Sequence, residues 1–228
     1  QDTAAYGVDT RYQLDFWQGR PLKTRIRELA ATLGELPAWI RLHYIYPYPH
    51  VDELIPLMAE EVTLPYLDVP LQHASPSLLK AMRRPANSEN MLQRIAQWRR
   101  IFPELVLRST FIVGFPGETD DAFADTVDVT QRAQFEKAYI FEYSPRVNTL
   151  AHRRYPDDIP KAVKNARLQQ LNDIQRTNRL HLLSQQIGET KTVLIDQATS
   201  KKSPDDVAGR TESDTIVIMP RHNLAVGD

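Results

Sequence analysis

Four short apolar runs rich in β-branched and aromatic residues, with stretches of helical periodicity between them, restrict this chain to parallel strands joined by crossover helices. The runs are Trp39 to Tyr44, Tyr66 to Val69, Val106 to Val113 and Ala138 to Tyr143. Helical patterns are expected at Pro21 to Leu33, Val51 to Ala59, Ser77 to Met82, Met91 to Arg100 and Asp120 to Ala133. Ser75 stands where it would cap a helix with Pro76 at its first position. Thr119 would cap another, whose first turn carries Asp120 and Asp121 against the helix dipole.

Beyond Pro160 a longer helix is expected, running to about Ile187. Its apolar stripe is Val163, Leu171, Ile174 and Leu182 or Leu183, and its length is on the order of 40 Å. Its basic residues Lys161, Lys164, Arg167, Arg176 and Arg179 read as a solvated face. After Gly188 the texture turns to short strands, Thr192 to Ile195, Val207 to Thr211 and Thr215 to Met219. A polar loop, Ser200-Lys201-Lys202-Ser203-Pro204, separates the first two, a pattern that suits a small β domain. The expected organisation is therefore an α/β barrel portion over residues 1–187, followed by an incomplete small β-barrel over residues 188–228.

Composition narrows the function. The 228 residues carry a formal net charge of -1, so binding to nucleic acid would have to come from a local patch. No apolar run approaches the roughly 20 residues of a membrane helix, there is no signal segment, and the chain reads as cytosolic. Cysteine is absent, which excludes disulfides, zinc–thiolate sites and any iron–sulfur cluster ligated from within the chain. A start at Gln1-Asp2-Thr3 suggests a piece of something longer.

In a β/α barrel the reactive face lies at the C-terminal ends of the strands. Those ends here carry His43, Tyr44 and Pro47 to His50, then Pro70 to Ser75, then Gly114 to Thr119, then Tyr143 to Arg146. Gly114 and Gly117 let backbone approach a planar ligand ahead of a capped helix whose amides could face a carboxylate or ribose. A plain strand-to-helix turn accounts for the same spacing. Gln72, His73 and Ser75 offer hydrogen-bonding groups suited to a ribose or amino-acid moiety. His43, His50 and His73 lack the spacing of a metal site, so no metal ligand is assigned. Arg108 and Thr110 share one side of their strand. Arg108 would meet either a ligand carboxylate or a structural partner, Asp68 or Glu142.

Taken together these blocks are more specific than any one alone. Gln1 to Asp9, Arg41 to Pro47, Pro65 to Ser75 and Arg108 to Thr119 resemble, in order and spacing, successive blocks of the radical S-adenosylmethionine methylthiotransferase family. The first three, with Tyr46 to Glu53, are most similar to the branch that modifies an aspartate of a small-subunit ribosomal protein. Ser200 to Ser203 and Gly209 to Glu212 are similar to the TRAM domain of the tRNA-adenosine branch.

The resemblance implies a radical SAM partial TIM barrel and a TRAM portion that engages a ribosomal protein or tRNA. It also implies an external electron donor and two four-iron four-sulfur clusters in the complete protein, none of them held by this chain. It implies further that Gln72, Ser75, Arg108, Thr110, Ile112, Gly114 and Phe115 line an S-adenosylmethionine pocket, with Tyr143 closing the last strand; catalytic residues are not assigned. Where the family has Gly-Thr-Pro-Ala, this chain reads Asn148-Thr149-Leu150-Ala151, a departure at the entry to the long helix. Two other readings compete. A barrel lyase or aldolase needs a catalytic lysine or a paired acid and base at the strand ends, and no lysine is assigned there; a non-catalytic RNA- or ribosome-binding module would use the long basic helix and the terminal β domain.

Overall fold

Three parallel strands, β3 (Tyr66–Asp68), β4 (Val106–Val113) and β5 (Lys137–Glu142), form the central sheet in the order β3-β4-β5. The computed structural model describes residues 2–84, 88–201 and 203–228. Gln1 and Lys202, members of two of the blocks above, lie outside the described residues.

β4 shows why the sheet has two different faces. Leu107, Ser109, Phe111 and Val113 are fully buried, whereas Arg108, Thr110 and Ile112 between them are only partly so. The buried set packs beneath the crossover helices α1 (Ile26–Leu33), α2 (Ile55–Ala59), α4 (Ser88–Ile101) and α5 (Asp120–Ala133), in a core that includes Ile26, Met58, Trp98 and Phe135. The other face stays open. Pairing of Arg108 with Lys137, Thr110 with Tyr139 and Ile112 with Phe141 sets six side chains on it in three rungs.

The strand expected at Trp39 to Tyr44 survives as an irregular edge. It joins β3 through a single bridge, Leu42 with Leu67, and through Leu64 N to Ile40 O (2.9 Å) and Ile45 N to Asp68 O (2.9 Å). Regular pairing stops because Tyr44 adopts a left-handed φ of 56° and its N–H turns to the Asp68 carboxylate, 3.2 Å away.

The helix expected from Pro21 is shorter, because Leu14–Trp17 (β1) and Arg20–Lys23 (β2) form an antiparallel hairpin ahead of α1. Gln18 (φ 48°) and Gly19 (φ 77°) supply the two left-handed residues that a tight hairpin turn needs, a Gln-Gly signal the helical pattern obscured. The segment from Val51 starts as a 3₁₀ turn, Pro49–Leu54, before α2. α3 (Pro76–Ala81) and α5 begin where their caps are expected, and the Thr119 hydroxyl accepts the Ala122 N–H at 3.2 Å. Ser75 has the extended backbone of a cap, but its hydroxyl meets Ser77 Oγ (3.0 Å) instead of an amide. An unforeseen short helix, α6 (Leu150–Arg154), is capped by Thr149 within the divergent loop.

The long helix α7 (Lys161–Gln185) lies against α5 and β5. Its buried stripe is Lys164, Arg167, Leu171 and Gln175, so two of the five basic residues expected in solvent are interior. After Gly188, strands β6 (Val193–Gln197), β7 (Asp206–Thr211) and β8 (Ile216–Pro220) form an antiparallel meander. The β7–β8 turn reaches the N-terminal ends of the central strands, where Lys137 Nζ meets Asp214 at 2.9 Å.

Candidate functional site

Two loops leave the C-terminal rim of the sheet side by side. Gln72 N donates to Thr110 O and Ile112 N donates to Gln72 O, both at 2.8 Å, so the loop after β3 is stitched to the end of β4. This stitching holds Gln72 in a left-handed conformation (φ 65°), and its side-chain Oε1 is buried without a hydrogen-bond partner. A native interior seldom leaves such an acceptor idle.

Beneath the rim a buried polar network locks the two loops together. His73 Nδ1 accepts the Ser75 N–H at 2.9 Å, which puts the ring proton on Nε2, donated to Glu118 Oε1 at 2.8 Å. The other oxygen of Glu118 accepts the Gly114 amide (2.6 Å) and Arg167 Nη1 (2.7 Å), while Arg167 Nη2 reaches Asp120 at 2.7 Å. The Glu118 side chain is wholly enclosed, and only a paired, multiply hydrogen-bonded carboxylate can be kept there at acceptable cost. Gln72 loop, Gly114 turn and α7 thereby form one rigid unit.

Gly114 has φ 71°, and a Cβ there would sit 2.4 Å from Lys164 Cγ. The lysine stem lies over the turn, and its ammonium reaches Asp157 (2.5 Å) and Tyr143 O (3.3 Å). The turn amides expected to face a ligand are therefore committed, Gly114 to Glu118 and Gly117 to Asp158 (2.9 Å). Gly114→Ala should cost about 1–2 kcal/mol in backbone strain, plus the displacement of Lys164. Urea unfolding measures this, and wild-type stability would contradict the packing described.

The eight residues expected at the pocket divide into groups. Thr110 and Ile112 stand on the open face near the rim, and Gln72 is bonded to the backbone of both. Ser75 is buried one turn further on, Gly114 lies under Lys164, and the Phe115 ring packs with Leu78 and Ala122, edge-on to Tyr143 at 5.0 Å. Tyr143 continues β5 through its N–H to Val113 O (2.8 Å), and its buried hydroxyl has no partner. Burial pushes that phenol above its ordinary pKa, so it stands protonated as a donor.

Arg108 lies lower, in register with Asp68. Its Nε is 3.6 Å from that carboxylate and its guanidinium is 4.4 Å from the centre of the Tyr139 ring. Of the two acidic partners weighed for it, Asp68 is the one in contact; Glu142 pairs with Lys161. Asp68 is completely buried, with His43 Nδ1 3.8 Å away and Oδ1 lacking a hydrogen bond. Tyr66, below, is pushed up to about 12 by burial, against the opposing pull of Arg108. His50 is spent on the backbone of Ala4 (2.8 Å). Tyr139 and Phe141, stacked with centroids 6.4 Å apart and half exposed, complete the open face with apolar surface.

Sequence reasoning overlooked Arg167, Tyr139 and Phe141 as site residues, and placed Glu118 at the strand end only as part of the Gly114 to Thr119 segment. For Arg167 a signal existed, since Lys164, Arg167, Leu171 and Gln175 follow one another at helical spacing of three, four and four.

The family model of the radical SAM superfamily matches residues 7–130. Over its whole length the chain is 49% identical to a protein of Azoarcus sp. (strain BH72) named ribosomal protein uS12 methylthiotransferase RimO, covering 52% of that relative. A protein of the same name from Nitrosomonas europaea is 54% identical over the whole chain, which covers 51% of it. One from Methylococcus capsulatus is 54% identical over 88% of the chain and 46% of the relative. The chain thus spans about half the length of the curated relatives it matches. Among solved structures, coproporphyrinogen III oxidase (HemN) from Escherichia coli, described as a radical SAM enzyme, superposes with a TM-score of 0.53 over 77% of this chain and 46% of that one. At 14% identity that likeness speaks for the fold alone.

Proposed function

Because the chain belongs to the radical SAM superfamily, we propose that it is the later barrel portion of a methylthiotransferase acting on an aspartate of a small-subunit ribosomal protein. Residues 1–187 serve as barrel and residues 188–228 as a TRAM-like substrate domain. The observation that carries this reading is the interlock of the Gln72 loop with the β4 end, which leaves a buried, unsatisfied acceptor at the rim of the sheet. The relatives that match the whole chain are named for uS12, which favours a protein substrate over tRNA.

The residues present fit S-adenosylmethionine: Gln72 Oε1 and the Tyr143 hydroxyl stand ready as acceptor and donor, and Thr110, Ile112 and Phe141 offer mixed polar and apolar contact. With no cysteine in the chain, both iron–sulfur clusters belong to other parts of the complete protein, as does docking of the electron donor. When bound, the sulfonium cofactor beside its cluster supplies the one-electron chemistry that opens an unactivated C–H bond. The chain's own residues bind and orient. Gln72 holds a donor group of the ligand, and the His73–Glu118–Arg167 network keeps the two loops in register. Tyr139 and Phe141 exclude water from the open face.

Gln72→Asn tests the assignment, because asparagine tolerates the left-handed backbone while withdrawing the carbonyl by one methylene. In the full-length protein, loss of one hydrogen bond should weaken S-adenosylmethionine binding by up to about tenfold, read by calorimetric titration. Unchanged affinity would remove Gln72 from the pocket. Transfer to tRNA but not to the ribosomal protein would reassign the substrate.

A further inference from the structure

The β7–β8 turn places a carboxylate where the open face of the sheet ends below. Asp214 is 7% exposed, in a left-handed conformation (φ 63°) set by its own N–H to Thr211 O (3.0 Å) and by Thr215 N to Thr211 Oγ1 (3.1 Å). Three cations converge on it: Lys137 Nζ at 2.9 Å from the start of β5, Arg41 Nη1 at 3.7 Å from the edge segment, and Arg210 Nη1 at 2.8 Å from its own domain. Arg41 also donates to Thr211 O (3.0 Å) and lies 5.6 Å from the Tyr66 ring centre. A cavity of about 30 Å³ between Tyr66, Lys137, Leu182 and Asp214 leaves room for little more than a water, while a wider cleft of about 280 Å³ opens beside it between Val106, Glu136, Thr211 and Ser213.

Charge counting shows what Asp214 does. Arg210 has a second partner in Asp196 (2.9 Å), and Arg108 has Asp68. Among the described residues, Arg41 and Lys137 find an ion-pair partner only in Asp214. Without it, two cations, Arg41 on the edge segment and Lys137 on β5, would be left without a counter-charge around Tyr66, and Lys137 lies in the same rung as Asp68 and Arg108. We propose that Asp214 is a positioning residue: it docks the small β domain as the floor of the open face and neutralises Arg41 and Lys137, the second of which shares a rung with Asp68 and Arg108. The docking half stands on geometry alone, while the consequence for turnover rests on the radical-enzyme reading above.

The test uses the full-length protein with Asp214→Asn, Lys137→Met and the double variant. Trypsin cleavage at the exposed Lys191 of the linker reports docking, and S-adenosylmethionine cleavage with substrate transfer reports turnover. Asp214→Asn should speed linker cleavage about tenfold and lower turnover severalfold, with S-adenosylmethionine affinity within a factor of about two of wild type. Adding Lys137→Met, which removes the orphaned charge, should restore at least half of both. Unchanged cleavage by trypsin would overturn the docking. Faster cleavage with unaltered turnover would overturn the positioning role, and failure of the double variant to recover would show packing, not charge, as the cause. Absence of any cofactor cleavage by the wild-type enzyme would fail the functional reading while the trypsin result still decides the docking.

Discussion

Arg167→Met should lower the unfolding free energy by about 3–5 kcal/mol, the cost of leaving a buried carboxylate without its cation. Glu118 is fully enclosed, and Arg167 supplies both its ion pair and a hydrogen bond to its backbone oxygen at 3.0 Å. The second partner of Arg167, Asp120, is 99% exposed and contributes little. Glu118 would still accept from His73 and Gly114, yet the charge itself would be uncompensated. Adding Glu118→Gln should recover a substantial part of the loss, because a neutral amide needs no counterion. Guanidinium unfolding of the three variants measures it. A single variant within about 1 kcal/mol of wild type would mean that the network does not bind α7 to the sheet.

Phe111→Ala should cost about 3–5 kcal/mol through the cavity it opens, whereas Phe111→Leu should cost under about 1.5 kcal/mol. Phe111 is fully buried on the helix side of β4, edge-on to Phe135 with centroids 5.8 Å apart. It also bridges to Gln72, and its neighbours Thr110 and Ile112 make the two bonds that fix the loop. Relaxation around the cavity should therefore loosen the rim, and S-adenosylmethionine affinity should fall in the alanine variant although Phe111 faces away from the pocket. Thermal unfolding with a cofactor titration separates the effects. Full affinity in a destabilised alanine variant would show that the rim is held independently of the core beneath it.

Legibility in the sequence followed the strength of local signals. β4 and α5 run over the residues expected, because an eight-residue alternating strand and a capped helix with an acidic first turn are specified within their own windows. The edge segment at Trp39 to Tyr44 was less legible, since its last residue obeys the carboxylate of Asp68 on another strand. The β1–β2 hairpin was hidden by Pro21 and by an apolar pattern compatible with a helix. Arg167 and Lys164 read as solvent-facing because basic residues usually are. Their burial depends on acceptors, Glu118 and Asp157, that a helical wheel does not contain.

Taken alone, the sequence determined the class of fold, the absence of thiolate ligands and the position of the Gln72 and Gly114 segments at the C-terminal ends of strands, because each is a consequence of residue type or of spacing along a single element. Which groups those segments spend on each other was decided only by the tertiary structure. His73, Glu118 and Arg167 lie far apart in the chain and meet because a parallel sheet brings successive strand ends to one rim while α7 returns across it. The same holds at the opposite end, where Asp214 finds Arg41 and Lys137. Partnership between charges is a property of distance in space, and a linear chain does not carry that distance.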